Sequence, residues 1–372
     1  VDLSNKDLTG VNLSGVDLSN KDLTGTILKD AKKIEMSVKD PSNLSWSELN
    51  EIQNHNVVRY DLNEDVQYLA SKDGYLFELR NNEISFVLNL KADAQFIFAE
   101  ESWEGGFLGI ASQNGLVYIS YTTTIGYYDD SGEITSKLIV DEYSNDFTKV
   151  RNIIVIDGFA ESGEHYAGAL AFDSHGKLYL SVGDGDRSEN AQNLNSLKGK
   201  ILRLDVSNLK LEPEIVAYGL RNPFGMTIDS KDRMFIPQCG QKYVEALYLL
   251  DDLYPSIPVN FGWPVFEGSV RMNKDPLMFK DVSAPIFETT IRPGCFTAGV
   301  YLDDIESLLL GDFYGKIRLL KQQESGEWYL HHEYKQEKNI WSLGLDKKTK
   351  KIFIAPHNLE LEILVDQIKL NQ

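Results

Sequence analysis

The chain has 372 residues, 42 % hydrophobic and 25 % charged, the balance of a globular protein with a large core and not of a disordered one. Its formal net charge of −19 argues against nucleic acid and anionic membrane surfaces as partners, and no window is long and apolar enough for a membrane-spanning helix. The two cysteines, Cys239 and Cys295, are by count alone compatible with reduced core residues, one disulfide or metal ligands. The chain begins at Val1, not Met, from which a removed leader and an extracellular or periplasmic location are expected.

The first segment has a strict period of five: Leu3, Leu8, Leu13, Leu18, Leu23 and Leu28, all but the last preceded by Asp or Asn. Neither a helix nor a strand has that period. A square coil with one side per pentad does, with leucines inward and Asp or Asn at the corners. Residues 1–31 resemble the pentapeptide-repeat family, which implies a terminal β-coil that caps the fold or stacks on a protein partner. Residues 32–56 read as a connector, with a turn at Pro41 and a short helix over 45–53 opened by Ser45 and Glu48.

From residue 57 everything reads as β. A unit of small–apolar–apolar–Asp, a turn and a second apolar run recurs, as in VVRYDLNEDVQYLASKDGYLFEL, LGIASQNGLVYISY and GALAFDSHGKLYLSVGDGD. It returns in FGMTIDSKDRMFIPQ, AGVYLDDIESLLLGDFYGKIRLL and WSLGLDKKTKKIFIAP, about six units over residues 57–372. The spacing is that of a four-stranded propeller blade, and runs with little alternation suit sheets packed on both faces. The expectation is an all-β, six-bladed propeller of four-stranded antiparallel blades, closed by a strand over residues 361–370. A two-domain β-sandwich would lack this regular return.

Equivalent positions of propeller blades converge around one axis. The segments entering the units and the loops leaving their second runs therefore pool Glu104, Glu164, His165, Arg221, Asn222, Cys239, Arg292, Cys295, Tyr314, Lys338 and Trp341. Such a concentration of ionisable and aromatic groups is what a polar small-molecule pocket needs. Cys239 and Cys295 are expected near one another at that end, disulfide-bonded if the protein is exported; a metal site of both cysteines with His165 is the alternative.

The segments WEGGFLGIA, EHYAGALAFDSHGKLYLSVGDGD, QNLNSLKGKILRLD, EIVAYGLRNPFGM and VNFGWPV occur in that order and resemble the glucose/sorbosone dehydrogenase family of soluble quinoprotein aldose dehydrogenases. The resemblance implies six blades, pyrroloquinoline quinone (PQQ) with calcium on one face, and oxidation of a sugar C1 hydroxyl. It casts His165 as general base, Glu164 as the acid that orients it, and Arg221 as stabiliser of the reduced quinone, with Asn222 beside it. It places a calcium ion at Glu245 and the Phe261 carbonyl, with the 240–241 loop in support. That loop departs from the family, since Gln238-Cys239-Gly240-Gln241 stands where Glu-His-Gly-Pro is common. A cofactor lysine is replaced by Tyr314, and Asn339 and Trp341 occupy the place of a paired-arginine clamp; Arg292, Lys338 and Lys242 are the candidate substitutes. Two functions follow: a PQQ- and calcium-dependent dehydrogenase taking a sugar and an electron acceptor, or a degenerate propeller that binds a protein or ligand.

Overall fold

The computed structural model describes residues 34–37, 57–62, 66–80, 83–90, 104–123, 127–128, 134–159, 163–208, 212–272, 281–290, 294–335, 339–346 and 351–356. The first sheet holds β1 (Ile34–Ser37), β2 (Val57–Leu62), β3 (Gln67–Ser71), β4 (Tyr75–Arg80) and β5 (Glu83–Asn89), in the order β1-β5-β4-β3-β2. The second holds β6 (Phe107–Gln113), β7 (Leu116–Thr122), β8 (Tyr127–Tyr128), β9 (Ile134–Ser144) and β10 (Lys149–Phe159), with β8 paired to β9 beside the path β10-β9-β7-β6. The third runs β11 (Ala167–Phe172), β12 (Leu178–Val182), β13 (Lys200–Leu204) and β14 (Glu214–Tyr218).

The fourth sheet contains β15 (Thr227–Ile228), β16 (Met234–Gln238) and β17 (Glu245–Leu250). From the long excursion that follows, β18 (Val259–Asn260) adds in parallel to β14, while β19 (Phe266–Glu267) and β20 (Val270–Arg271) make a small hairpin. β21 (Phe287–Thr289) then completes the fourth sheet against β17. The fifth is β22 (Phe296–Leu302), β23 (Ser307–Asp312), β24 (Lys316–Gln322) and β25 (Trp328–Lys335). Last comes a hairpin of β26 (Ile340–Asp346) and β27 (Lys351–Pro356).

The innermost strands β2, β6, β11, β15, β22 and β26 follow one another in contact, and β26 also touches β2. This is a propeller. It has five complete blades among the described residues, where six were expected; the sixth position holds only the β26–β27 hairpin. Its described part, WSLGLDKKTKKIFIAP, supplies two apolar runs and one turn, which make that hairpin. The strand expected over 361–370, the leucine coil of 1–31 and the helix over 45–53 lie outside the described residues. Part of the connector joins the propeller, because β1 pairs along the outer edge of β5.

The absence of alternation has its explanation in the packing. β12, β16 and β23 are buried at every position, each facing a neighbouring blade on both sides. The core is divided between the blade interfaces. Leu108, Tyr118, Leu170 and Leu202 pack in one cluster, Tyr179, Ile201, Ile236 and Tyr248 in another, and Phe235, Phe296 and Leu310 in a third.

Candidate functional site

The site is built where β11 begins and β12 ends. His165 lies just before β11, and its backbone takes the left-handed conformation at φ 58°, a strained state for a residue with a side chain. Three contacts hold it there. Its N–H donates to Glu104 Oε2 at 2.6 Å, its carbonyl accepts from the Gly185 N–H at 3.2 Å, and the chain at Gly183 passes so close that a Cβ there would lie 2.0 Å from that carbonyl. Residue 183 must therefore be glycine.

His165 Nδ1 lies 2.7 Å from Asp184 Oδ1, with both side chains buried. Asp184 Oδ1 also accepts from the Asp186 N–H at 3.0 Å, and Oδ2 accepts from Trp263 Nε1 at 2.8 Å. The carboxylate is thus an acceptor for three donors, which places the ring proton on Nδ1 and leaves Nε2 with its lone pair. The partner that orients the ring is Asp184. Glu164 is exposed and brings only its carboxylate, with His165 and Asp186, into a group of donor atoms within 4.8 Å of one another.

On the other side, the Asn222 amide donates to both Glu104 oxygens at 3.2 and 3.1 Å. Burial pushes the Glu104 carboxyl above the ordinary range; the His165 ring and N–H and the Arg221 guanidinium oppose that, and Glu164 adds to it. Lys72, over the Trp341 ring at 5.2 Å, is held below the usual lysine range by burial, against the attraction of Glu104. Arg221 donates through one terminal nitrogen to the carbonyls of Cys239 and Gly240, at 3.2 and 3.0 Å, and lies over the Trp263 ring. Its Nε and the Asn222 Oδ1 are buried without a hydrogen-bond partner among the described residues.

Cys239 and Cys295 form a disulfide with Cα atoms 4.4 Å apart, so the alternative of a metal held by both cysteines and His165 falls. Beside the bridge, Trp341 is buried with Phe224 and Phe313 in an aromatic cluster that packs on Cys295. Tyr314 stands half exposed with its ring edge-on to Phe313. Arg292 and Lys338 lie outside the described residues.

The loop expected to support calcium is organised differently. Glu267 Oε1 accepts the N–H groups of Gln241, Lys242, Tyr243 and Val244, at 2.6 to 3.2 Å. Gly240 gives its N–H to Glu245 Oε2 at 2.8 Å and its carbonyl to Arg221. The loop turns its N–H donors inward onto two carboxylates. The Gly240 and Gln241 N–H groups are thus spent on Glu245 and Glu267, and Phe261 is buried with its N–H on the Tyr218 carbonyl.

Asp184, Lys72, Trp263 and Glu267 were not singled out from the sequence. Asp184 was within reach, since it sits in the acidic glycine loop that follows the second run of its blade. Lys72 holds the corresponding place in the first blade, after β3.

The model of the glucose / sorbosone dehydrogenase family matches residues 70–298, and eight copies of the pentapeptide repeat match residues 1–32. The aldose sugar dehydrogenase YliI of Escherichia coli is 24 % identical over 222 residues, 53 % of this chain and 57 % of that protein. The hedgehog-interacting protein of Mus musculus is 29 % identical over 159 residues, 34 % of this chain and 23 % of its own length. The chain therefore spans about half of one relative and a quarter of the other. Among solved structures, the apo form of the soluble aldose sugar dehydrogenase of Escherichia coli superposes with a TM-score of 0.61 at 18 % identity, covering 82 % of this chain and 97 % of that one. The PQQ-bound aldose sugar dehydrogenase of Streptomyces coelicolor gives 0.55 at 16 % identity, covering 84 % and 89 %. At these identities the superpositions establish the fold.

Proposed function

Since the chain belongs to the glucose/sorbosone dehydrogenase family, we propose that it oxidises the C1 hydroxyl of an aldose, with His165 as general base and PQQ as hydride acceptor. The observation that carries this reading is the buried His165–Asp184 pair, whose geometry leaves Nε2 free to take a proton. Asp184 fixes the tautomer and steadies the imidazolium that forms when the hydroxyl proton arrives. Trp263 and the Asp186 N–H keep Asp184 aimed at the ring. Glu104 ties the His165 backbone to Asn222, so base and ligand groups move as one unit.

The Arg221 Nε and Asn222 Oδ1, without partners among the described residues, support a polar ligand beside the base, because buried polar atoms otherwise find partners within the protein. PQQ fits that pair: Arg221 would donate to one of its oxygens and stabilise negative charge there, and Asn222 would accept from the cofactor or the sugar. When bound, PQQ supplies the hydride chemistry that side chains lack. The disulfide favours an oxidising, exported setting.

A second reading, a propeller that binds a protein or ligand without chemistry, is supported by the 240–244 loop, which Glu267 closes where the resemblance implies a cation. One experiment separates the two. Pure protein is mixed with saturating PQQ, with and without calcium, and an aldose; dye reduction and quinone absorbance are followed. The dehydrogenase reading expects sugar-dependent reduction that falls about a hundred- to ten-thousand-fold in His165→Ala. Neither reduction nor a spectral change leaves the binding reading in its place.

A further inference from the structure

Behind the dyad lies a charge that the chemistry above does not use. Lys200 opens β13 opposite Val182, the residue before the Gly183–Asp184 turn, and its side chain is fully buried. Its ammonium donates to three carbonyls: Asn190 at 2.8 Å, Ala191 at 3.0 Å and Lys198 at 2.6 Å. Two of these belong to the short turn after the dyad loop. From that turn, Asn190 Nδ2 donates to the Asp184 carbonyl at 2.9 Å, and the Gly199 N–H, beside Lys200, bonds the Gly183 carbonyl at 2.8 Å.

A buried ammonium is a costly way to fill space. An apolar side chain of similar volume would pack the same gap without desolvating a charge. What the lysine adds is positive charge next to an anion: burial pushes its ammonium down to about 7, while Asp184 pulls the other way. Asp184 is the charged group that acts on Lys200, and Asp184 in turn meets His165, with Asp186 3.9 Å from the same ring nitrogen.

We propose that Lys200 is a positioning residue of the dyad: it clamps the 190–191 turn that holds Asp184 in place, and it sets a positive charge against the carboxylate that orients His165. The proposal rests on His165 acting as the base. Glu104, Glu164 and Asp186 add to the pull of Asp184 on the ring and Arg221 opposes it; without Lys200 a second opposing charge is lost, and more acid-side protein carries a protonated, inactive ring.

The test has one arm that needs no activity. Protein labelled at lysine Cε is titrated by NMR, with the Lys200 signal assigned by its loss in Lys200→Gln. The expected midpoint lies at about 7 in the wild-type protein and lower in Asp184→Asn, since removing the anion disfavours the ammonium. A midpoint that Asp184→Asn leaves in place overturns the proposal; where that variant does not fold, the Lys200→Met profile below decides. In the second arm, Lys200→Met with PQQ and an aldose should lose about tenfold in kcat/KM below neutrality, with the acid limb of the profile moved to higher pH. An unmoved limb also overturns it. If the Lys200 titration behaves as expected and the wild-type protein reduces no dye, the coupling stands and the dehydrogenase reading fails.

Discussion

Asp184→Asn is the sharpest test of the dyad, because the structure fixes what the amide would meet. Three donors converge on the wild-type carboxylate: His165 Nδ1 and the Asp186 N–H on Oδ1, Trp263 Nε1 on Oδ2. An asparagine offers one acceptor and one donor group. If its oxygen takes the Trp263 bond, its NH2 faces His165 and meets the Asp186 N–H donor to donor. The ring must then accept at Nδ1 and carry its proton on Nε2, where a base needs a lone pair. That tautomer costs about 10⁴-fold in kcat in a histidine base oriented by an aspartate. If instead the oxygen faces His165, the buried Trp263 N–H is left unsatisfied at about 1–3 kcal/mol, and the imidazolium loses its counter-charge. Either orientation reduces turnover, and the expected loss in kcat is about 10³- to 10⁴-fold with KM little changed. The assay is PQQ-dependent dye reduction at saturating sugar, with ¹⁵N shifts of the labelled ring reporting the tautomer. A kcat within tenfold of wild type would refute the argument.

Further outcomes follow from the same geometry. Reducing the Cys239–Cys295 bridge frees a loop with a sequence separation of 56, worth about 4 kcal/mol in chain entropy, so urea midpoints with and without reductant should differ; equal midpoints, or two titratable thiols in the unreduced protein, contradict it. Replacing Glu267 by Ala strips one acceptor from four backbone N–H groups and should cost about 3 kcal/mol in urea unfolding, with Glu267→Gln keeping part of it. Glu104 has a folded-state carboxyl above its unfolded value, so its contribution is full below the ordinary glutamate range and is lost as pH rises through the folded value. Thermal melts of Glu104→Gln should lack that decline, and a decline as steep as wild type would contradict it.

How much of this was legible depends on what each residue does. The blade repeat could be read because inner and middle strands are buried on both faces, which writes continuous apolar runs such as those of β12 and β16. His165 could be found as an ionisable group at the mouth of such a run. The cysteines could be paired because each lies at an equivalent end of its blade, and the structure joins them. Asp184 was hidden among the three acidic residues at 184, 186 and 189 that crowd one loop, where only geometry says which one reaches the ring. Lys200 was hidden differently. A lysine at the start of a strand reads as solvated, and nothing in KGKILRLD says that three carbonyls enclose it. The sixth blade was overcounted for the opposite reason: a repeat count registers one hairpin as a whole unit, and the last unit shows two strands among the described residues.

Arg59 stands where the closing hairpin meets the first blade. It reads from the sequence as an ordinary residue of VVRYDL, yet it lies buried on the innermost strand of the first blade. Its Nε donates to the Leu108 carbonyl of β6 at 2.5 Å, one terminal nitrogen to the Trp341 carbonyl of β26 at 3.0 Å, and the other to the Phe224 carbonyl at 3.4 Å. The guanidinium also lies 4.6 Å from the centre of the Phe224 ring. One side chain thus ties the first blade to the second, to the closing hairpin and to the entry of the fourth, across an axial cavity of about 80 Å³. Burial lowers its pKa to about 10, still well above neutrality, so the ties hold throughout the physiological range. Arg59→Met keeps most of the volume and removes every donor, leaving three carbonyls without the guanidinium in an enclosed space. At about 1 kcal/mol for each lost bond, the expected cost is about 3 kcal/mol, concentrated where the hairpin meets the ring. Urea unfolding followed by tryptophan fluorescence measures the total, and hydrogen exchange at β26 measures its location. If Arg59→Met unfolds at the wild-type midpoint with β26 equally protected, the hairpin closes the ring by packing alone, and Arg59 has no part in it.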